Sequence, residues 1–186
     1  MRNYGPETFG ELNADEYDLL HNPGTTEAAI ELLSEFALPG RTLELAIGTG
    51  RVALPLAERG CRIEGIEASP LMVEKLRQKP GGHGIPVTIG DMSEVKADGM
   101  FDFVFLIFNT LYNLTSQAAQ VNCFRNAASM LAPGGAFLIE AFVPDLSQFH
   151  DHRSVKPRHV GFSSLALEAA VHDPTTQRID YQVLRV

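Results

Sequence analysis

The run "MFDFVFLIF", residues 100–108, limits the fold more than any other stretch of this chain. A strand with one wet face alternates apolar and polar side chains, whereas this run is almost unbroken Phe, Val, Leu and Ile, so both of its faces need cover. Two-sided cover for a strand means helices on either side of a mostly parallel sheet. The flanking sequence supplies them. "TTEAAIELLSEFAL" places Ile30, Leu33 and Phe36 at helical spacing behind a threonine cap at Thr25 or Thr26, and "RVALPLAERG" sets Val52, Leu56 and Ala57 on one stripe, with Gly60 as its stop. Ser69 before Pro70 is a cap followed by proline at the first helical position, where a missing N–H costs nothing, and predicts a helix over "PLMVEKLRQK" that ends before Pro80. Cys123, Phe124, Ala127, Met130 and Leu131 trace a further helix face, stopped by "APGG". Between these helices, "RTLELAI", "CRIEGIE", "IPVTIG" and "AFLIEAFV" read as strands around the central 100–108 run. The predicted fold class is α/β, a doubly wound, mostly parallel sheet with helices on both faces.

Beyond Pro144 the pattern changes. "DLSQFHDHRSVKPRHVGFSS" is polar and loop-like, and "LALEAAVH" and "RIDYQVLRV" then flank the turn "DPTTQ" as a C-terminal antiparallel hairpin. At 186 residues the chain has room for one such domain, divided here into an N-terminal helical cap over 1–40, a core over 41–142, and a loop with a hairpin over 143–186.

The ligand is written into "LELAIGTGR", residues 43–51. Gly48, Gly50 and Ala53 fit the G-x-G-x-x-A of a dinucleotide-binding turn, and Glu67 follows about where a ribose-binding acid is expected. Glu44 breaks the tie. It lies in a strand that should be buried, where an unpaired carboxylate is costly, so it needs a cationic or hydrogen-bonding partner. A pyrophosphate offers only repulsion. S-adenosylmethionine offers an α-ammonium and a sulfonium, while its carboxylate can meet amides of the glycine turn. The alternative is that Glu44 pairs with a Lys or Arg of the protein or caps a backbone amide.

The chain resembles the class I (Rossmann-like) S-adenosylmethionine-dependent methyltransferases of the small-molecule type. The resemblance runs from about residue 15 to 142 through five pieces in order, "LELAIGTGR", "GIEASPLM", "IGDM", "FDFVFLIFNTLYNL" and "MLAPGGAFLIE". It implies S-adenosylmethionine as cofactor, with S-adenosylhomocysteine as product, and a role for each matching position. Glu44 and the backbone of Ala46, Gly48 and Gly50 would hold the methionyl end, and Glu67 the ribose hydroxyls. Ala68 and Met72 would flank the adenine, with Asp91 and Met92 at its amino group and ring edge. Phe108 and Asn109 would line the methyl side, and Tyr17 would close over the cofactor from an N-terminal helix. The resemblance further implies two last strands that have no counterpart here. A truncated chain, or a homodimer covering the exposed sheet edge, would account for that.

The implied reaction is in-line displacement at the sulfonium methyl by an oxygen or nitrogen of a small-molecule acceptor. Candidate bases are Tyr112, after the fourth strand, and His150 and His152, after the fifth. No metal is expected, since "HDH" has no third ligand at a suitable spacing. A formal charge of −8 with scattered Lys and Arg argues against nucleic acid as a partner. The absence of a long apolar run or leader argues against a membrane, and two distant cysteines among apolar residues suit the cytoplasm. Two other functions fit the residues less well: a non-catalytic or truncated cofactor-binding module, and an NAD-dependent oxidoreductase, which Glu67 permits and Glu44 opposes.

Overall fold

The computed structural model describes residues 4–20, 24–38 and 40–186, so parts of the predicted cap at 1–3, 21–23 and 39 lie outside the described residues. The chain divides into two compact units, Met1–Ala141 and Phe142–Val186.

The first unit is built on five parallel strands: β1 (Arg41–Leu45), β2 (Arg62–Glu67), β3 (Val87–Ile89), β4 (Phe101–Leu106) and β5 (Leu131–Ile139), in the order β3-β2-β1-β4-β5. Its helices are α1 (Thr8–Asn13), α2 (Tyr17–Leu20), α3 (Thr26–Ala37), α4 (Ala53–Glu58), α5 (Pro70–Arg77) and α6 (Gln117–Met130). β4 is the doubly covered strand that the sequence calls for. Phe103 and Phe105 pack with Ile30 and Leu33 of α3 and Leu56 of α4, while Val104 and Leu106 pack with Cys123, Ala127 and Met130 of α6.

Most predicted boundaries hold to within a few residues, and the exceptions have local causes. Ser69 caps α5 by accepting from the Met72 N–H at 3.4 Å, as expected. Thr25 precedes α3 as its cap residue, but its side chain makes no capping bond. Phe36 and Phe124, predicted to face the core, are 47% and 42% exposed. The buried positions are taken by Ala37 and Asn126, and the two rings lie across Phe103 and Phe137 at the sheet margin. The "APGG" stop is not a clean break. Leu131 already pairs with Phe101, and pairing resumes at Phe103 with Ala136, so the prolyl-glycyl segment bulges out of a strand that has begun.

The second unit corrects the sequence reading. In place of a long loop and a hairpin there are three antiparallel strands, β6 (Arg153–Val160), β7 (Leu165–Asp173) and β8 (Arg178–Arg185), in the order β6-β7-β8. The hairpin is β7-β8, and the "SVKPRHV" stretch pairs along β7 as the extra strand. Glu168 on β7 holds β6 by ion pairs to Lys156 at 3.1 Å and Arg158 at 2.7 Å.

β1 and β2 come close enough that one glycine is obligatory. Gly65 sits opposite Glu44, and a Cβ there would lie 2.6 Å from three side-chain carbons of Ile47, its own Cβ among them. Alanine usually stabilises a strand relative to glycine, but here the steric term wins. Gly65→Ala is expected to lower the unfolding free energy by about 1–3 kcal/mol. In urea unfolding, combining it with Ile47→Ala, which removes both Cγ2 and Cδ1, should cost less than the sum of the two single changes, and simple additivity would exclude the contact as the cause.

Candidate functional site

The order β3-β2-β1-β4-β5 puts the reversal of strand order between β1 and β4, and a crevice opens outside the carboxyl ends of such strands. Two adjoining hollows occupy that place. One is walled by Gly48, Glu67, Ala68, Met72, Asp91 and Met92, with Phe9, Gly10 and Tyr17 from the N-terminal helices and Thr110, Asn113 and Leu114 from the turn after β4. The other is walled by Glu44, Ala46, Arg51 and Phe108 and shares Tyr17 and Thr110.

Ten of the twelve predicted cofactor residues therefore line one hollow or the other: Tyr17, Glu44, Ala46, Gly48, Glu67, Ala68, Met72, Asp91, Met92 and Phe108. Gly50 and Asn109 do not. Gly50 has φ +75°, and a Cβ on it would meet Leu76 Cδ1 at 2.3 Å, so it serves the packing of the turn on α5. Asn109 takes a left-handed conformation at the head of the 3-10 turn Thr110–Asn113, which also contains the half-exposed Tyr112. His150 and His152 belong to the second unit. His150 and Arg153 exchange two 2.9 Å backbone bonds around Asp151 and His152, both at positive φ, which makes "HDHR" a tight reverse turn. The His152 ring lies 6.2 Å from that of His172. Among the described residues no group of three or more His, Cys, Asp or Glu side chains could hold a metal ion.

The two acids at the strand ends are solvated by the protein very differently. Glu67 accepts the N–H of Gly48 at 2.8 Å and of Ser69 at 2.9 Å, tying the glycine turn to the cap of α5. Burial pushes its pKa up, and the amides of Ser69, Gly48 and Ala68 oppose the rise. Glu44 alternates away from Leu43 and Leu45 onto the α3–α4 face of β1. Its Oε2 is enclosed and accepts no hydrogen bond, the one such side-chain atom among the described residues. Desolvation drives its pKa well above the usual range, opposed by the charge of Arg51, aided by that of Glu67 and opposed again by the Ala53 N–H.

The backbone around this point is held in conformations that side chains disfavour. Ala46, Phe108 and Asn109, at the ends of β1 and β4, have φ of 56°, 57° and 63°. The Phe108 N–H is fixed by Glu140 Oε2 at 2.7 Å. Arg51 reaches over the second hollow, its guanidinium carbon 4.1 Å from the Phe108 ring centroid and 5.4 Å from that of Tyr17, and donates to Tyr17 Oη at 3.2 Å. The cap is fastened by Asp18, which accepts a hydrogen bond from Thr49 Oγ1 at 2.7 Å and pairs with Lys79 at 2.7 Å. Asp91 uses Oδ1 to accept the Ser93 N–H at 2.7 Å, and the loop it begins is pinned to α6 by buried Asn126, which donates to the carbonyls of Met92 at 2.9 Å and Val95 at 2.6 Å.

Sequence reasoning missed Arg51, Phe9, Gly10, Asn113 and Asn126. Arg51, next to the glycines of the turn, and Asn113, within "FDFVFLIFNTLYNL", stand in stretches that the motifs mark. Phe9, Gly10 and Asn126 reach the site through contacts distant in sequence.

An acid whose pKa is higher in the folded than in the unfolded chain holds its proton more tightly when folded, so stability falls as pH rises above the ordinary value of 4.5, and the loss is complete above the raised pKa. Glu44→Gln removes that loss and keeps an acceptor for Ala53. Thermal melts should then find the variant close to the wild type near about pH 4 and more stable at about pH 7–8; parallel pH profiles would contradict an ionised, buried Glu44.

Residues 42–135, about half of the chain, match the family described as a methyltransferase domain. The chain is 31% identical over 143 residues to the cypemycin N-terminal methyltransferase of a Streptomyces species, a match that covers 75% of this chain and 58% of that protein. It spans less than two-thirds of the length of each curated relative reported in this comparison. Its structure superposes on the CcbJ methyltransferase from Streptomyces caelestis with a TM-score of 0.83 at 29% identity, covering 98% of this chain and 82% of the other. The same fold, at 22% identity and a TM-score of 0.60, is that of S-adenosylmethionine-bound CalS10, an amino pentose methyltransferase from Micromonospora echinaspora, covering 87% of this chain and 75% of that one.

Proposed function

Because the chain belongs to the methyltransferase-domain family, we propose that it binds S-adenosylmethionine and moves its methyl group to an oxygen or nitrogen of a small-molecule acceptor by direct in-line displacement. The carrying observation is the enclosed Oε2 of Glu44, without a hydrogen-bond partner among the described residues, on a side chain that lines the second hollow. A buried carboxylate oxygen without a donor calls for a cation, and a dinucleotide's pyrophosphate would instead meet repulsion. Bound S-adenosylmethionine would supply a methyl group activated by its positive sulfur, which departs as the neutral thioether of S-adenosylhomocysteine.

In this reading Glu44 receives the α-ammonium. Glu67 keeps a second lone pair on each oxygen for the ribose hydroxyls while its amide bonds fix their direction. Ala68, Met72, Asp91 and Met92 enclose the adenine, and Asn126 sets the position of their loop. Tyr17 and Phe108 wall the methyl side, where their rings exclude water and hold the acceptor at near-attack distance. The acceptor's proton leaves through a base, for which Tyr112 is the candidate carried by the first unit, checked by the pH–rate profile of Tyr112→Phe. An acidic chain suits a small acceptor better than nucleic acid.

Calorimetric titration tests the cofactor. The wild type should bind S-adenosylmethionine and S-adenosylhomocysteine and not NAD, and Glu44→Gln should weaken both adenosyl ligands by about 10-fold or more, as expected for the loss of a charge-assisted bond. Since that variant is expected to be the more stable protein near neutral pH, weakened binding would not reflect unfolding. Binding of NAD in preference to the adenosyl ligands would replace the proposal with a dinucleotide enzyme.

A further inference from the structure

We propose that Asp18 is a positioning residue for this site: by its bond to Thr49 it fixes the short helix that carries Tyr17, so that the placing of Tyr17 against a bound ligand and the shape of the glycine turn are set together. The inference rests on the S-adenosylmethionine reading and extends it to a carboxylate that lines neither hollow.

The first observation concerns what holds α2. It is a single turn without a buried residue, and Leu19 and Leu20 are 84% and 47% exposed. Apolar burial does little to hold such an element, so polar contacts decide where it lies. Tyr17 meets the Phe9 ring edge-on and accepts from Arg51, and Asp18, the next residue, reaches the middle of the glycine turn.

The second is the contact itself. Thr49 stands between the two glycines of the turn and is buried. Its Oγ1 donates to Asp18 Oδ1 at 2.7 Å and its carbonyl accepts from Lys79 Nζ at 2.8 Å, while Lys79 also pairs with Asp18 Oδ2 at 2.7 Å. Cap, glycine turn and the segment after α5 are joined at this one point. The bonds are not equal. Both partners of the Lys79–Asp18 pair are partly open to water, which screens it. A hydrogen bond from a buried hydroxyl to a carboxylate is the stronger of the two, so Thr49 is the anchor. Burial works to raise the pKa of Asp18, but the bonds from Lys79 and Thr49 and the charges of Lys79 and Arg51 bring it below the ordinary value.

The third is where this contact leads. Tyr17 is common to both hollows, and Thr49 follows Gly48, which walls the larger one and is held by Glu67 Oε2 at 2.8 Å. Asp18 is thus one residue from the ring that the hollows share and one hydrogen bond from the turn beside them. A ligand that settles the turn settles α2, and α2 cannot move away until Thr49 lets go of Asp18.

Surface plasmon resonance of S-adenosylhomocysteine on immobilised protein separates association from dissociation. Asp18→Ala and Thr49→Val, the second of which removes the hydroxyl and keeps the shape, should each speed dissociation by about 10-fold or more, with association changed by less than about 3-fold. Thr49→Ser keeps the hydroxyl and should dissociate within about 2-fold of the wild type. In a Tyr17→Ala background, Asp18→Ala should change dissociation by less than about 2-fold, because the residue through which it acts is gone. Equal effects with and without the Tyr17 ring, or a lowered melting temperature with unchanged dissociation, would reduce Asp18 to a contact of the fold and overturn the proposal. If Asp18→Ala does not fold, the contrast between Thr49→Val and Thr49→Ser decides the matter, and equal rates for those two would overturn it. A wild type that does not bind S-adenosylhomocysteine would remove the S-adenosylmethionine reading itself, a result distinct from the failure of Asp18 in a protein that binds.

Discussion

Two carboxylates buried at the ends of neighbouring strands must each be stabilised, and the site follows from the different means used for each. Glu67 closes β2 and is wrapped in backbone N–H groups from the glycine turn and the start of α5. It acts as a structural clasp: three segments that share no secondary structure are registered on one side chain, and the wall of the larger hollow takes its shape from them. Glu44, near the end of β1, has only the Ala53 amide and the distant charge of Arg51 to offset full desolvation plus repulsion from Glu67. Buried polar atoms are nearly always paired, so an acid left half-satisfied in the middle of a close-packed sheet stands out from the rest of the fold.

Backbone strain falls in the same place. Non-glycine residues at positive φ each cost of order 1–3 kcal/mol when they are bulky, and persist only where the surroundings leave no alternative. Ala46 and Phe108 wall the second hollow, with Asn109 immediately after. The surroundings here are stiff. Phe103 and Phe105 stack at 5.7 Å within β4, Phe36 lies on Phe103 at 5.5 Å, and Glu140 holds the Phe108 amide. The aromatic strand that dictates the fold is thus also the support against which the end of β4 is bent, turning the Phe108 ring toward Arg51.

What the sequence revealed and what it hid divide along physical lines. Local signals were readable because their causes are local: the Ser69–Pro70 cap, the glycine stop after α4, and the unbroken apolarity of β4. Glu44 could be singled out because a charge in a buried strand is conspicuous on its own. β6 was hidden by composition. It is an edge strand, "RSVKPRHV", whose basic side chains answer Glu168 on β7, and an edge is where a strand tolerates proline such as Pro157. Phe36 and Phe124 were misjudged because helical spacing gives a face but not its width, and both lie at the margin of theirs. Gly50 shows why a glycine motif is ambiguous on its own, since packing against Leu76 and the close approach of a ligand leave the same signature in sequence. Asn126 lies 34 residues from the Met92 carbonyl it binds, and nothing in its own neighbourhood announces the loop.

The incomplete stabilisation of Glu44 bears on what kind of recognition the first unit can achieve. A carboxylate already stripped of water meets a ligand cation in a medium of low effective dielectric, with little solvent left to displace and no side chain left to order. The desolvation that ordinarily offsets the gain from a buried ion pair has been incurred during folding, so more of the Coulombic attraction appears as affinity. A ligand that lacked a matching cation would leave such a carboxylate buried and unanswered. The burial that raises the pKa of Glu44 and lowers the stability of the free protein as pH rises is thus the same burial that would strengthen its attraction for a ligand cation.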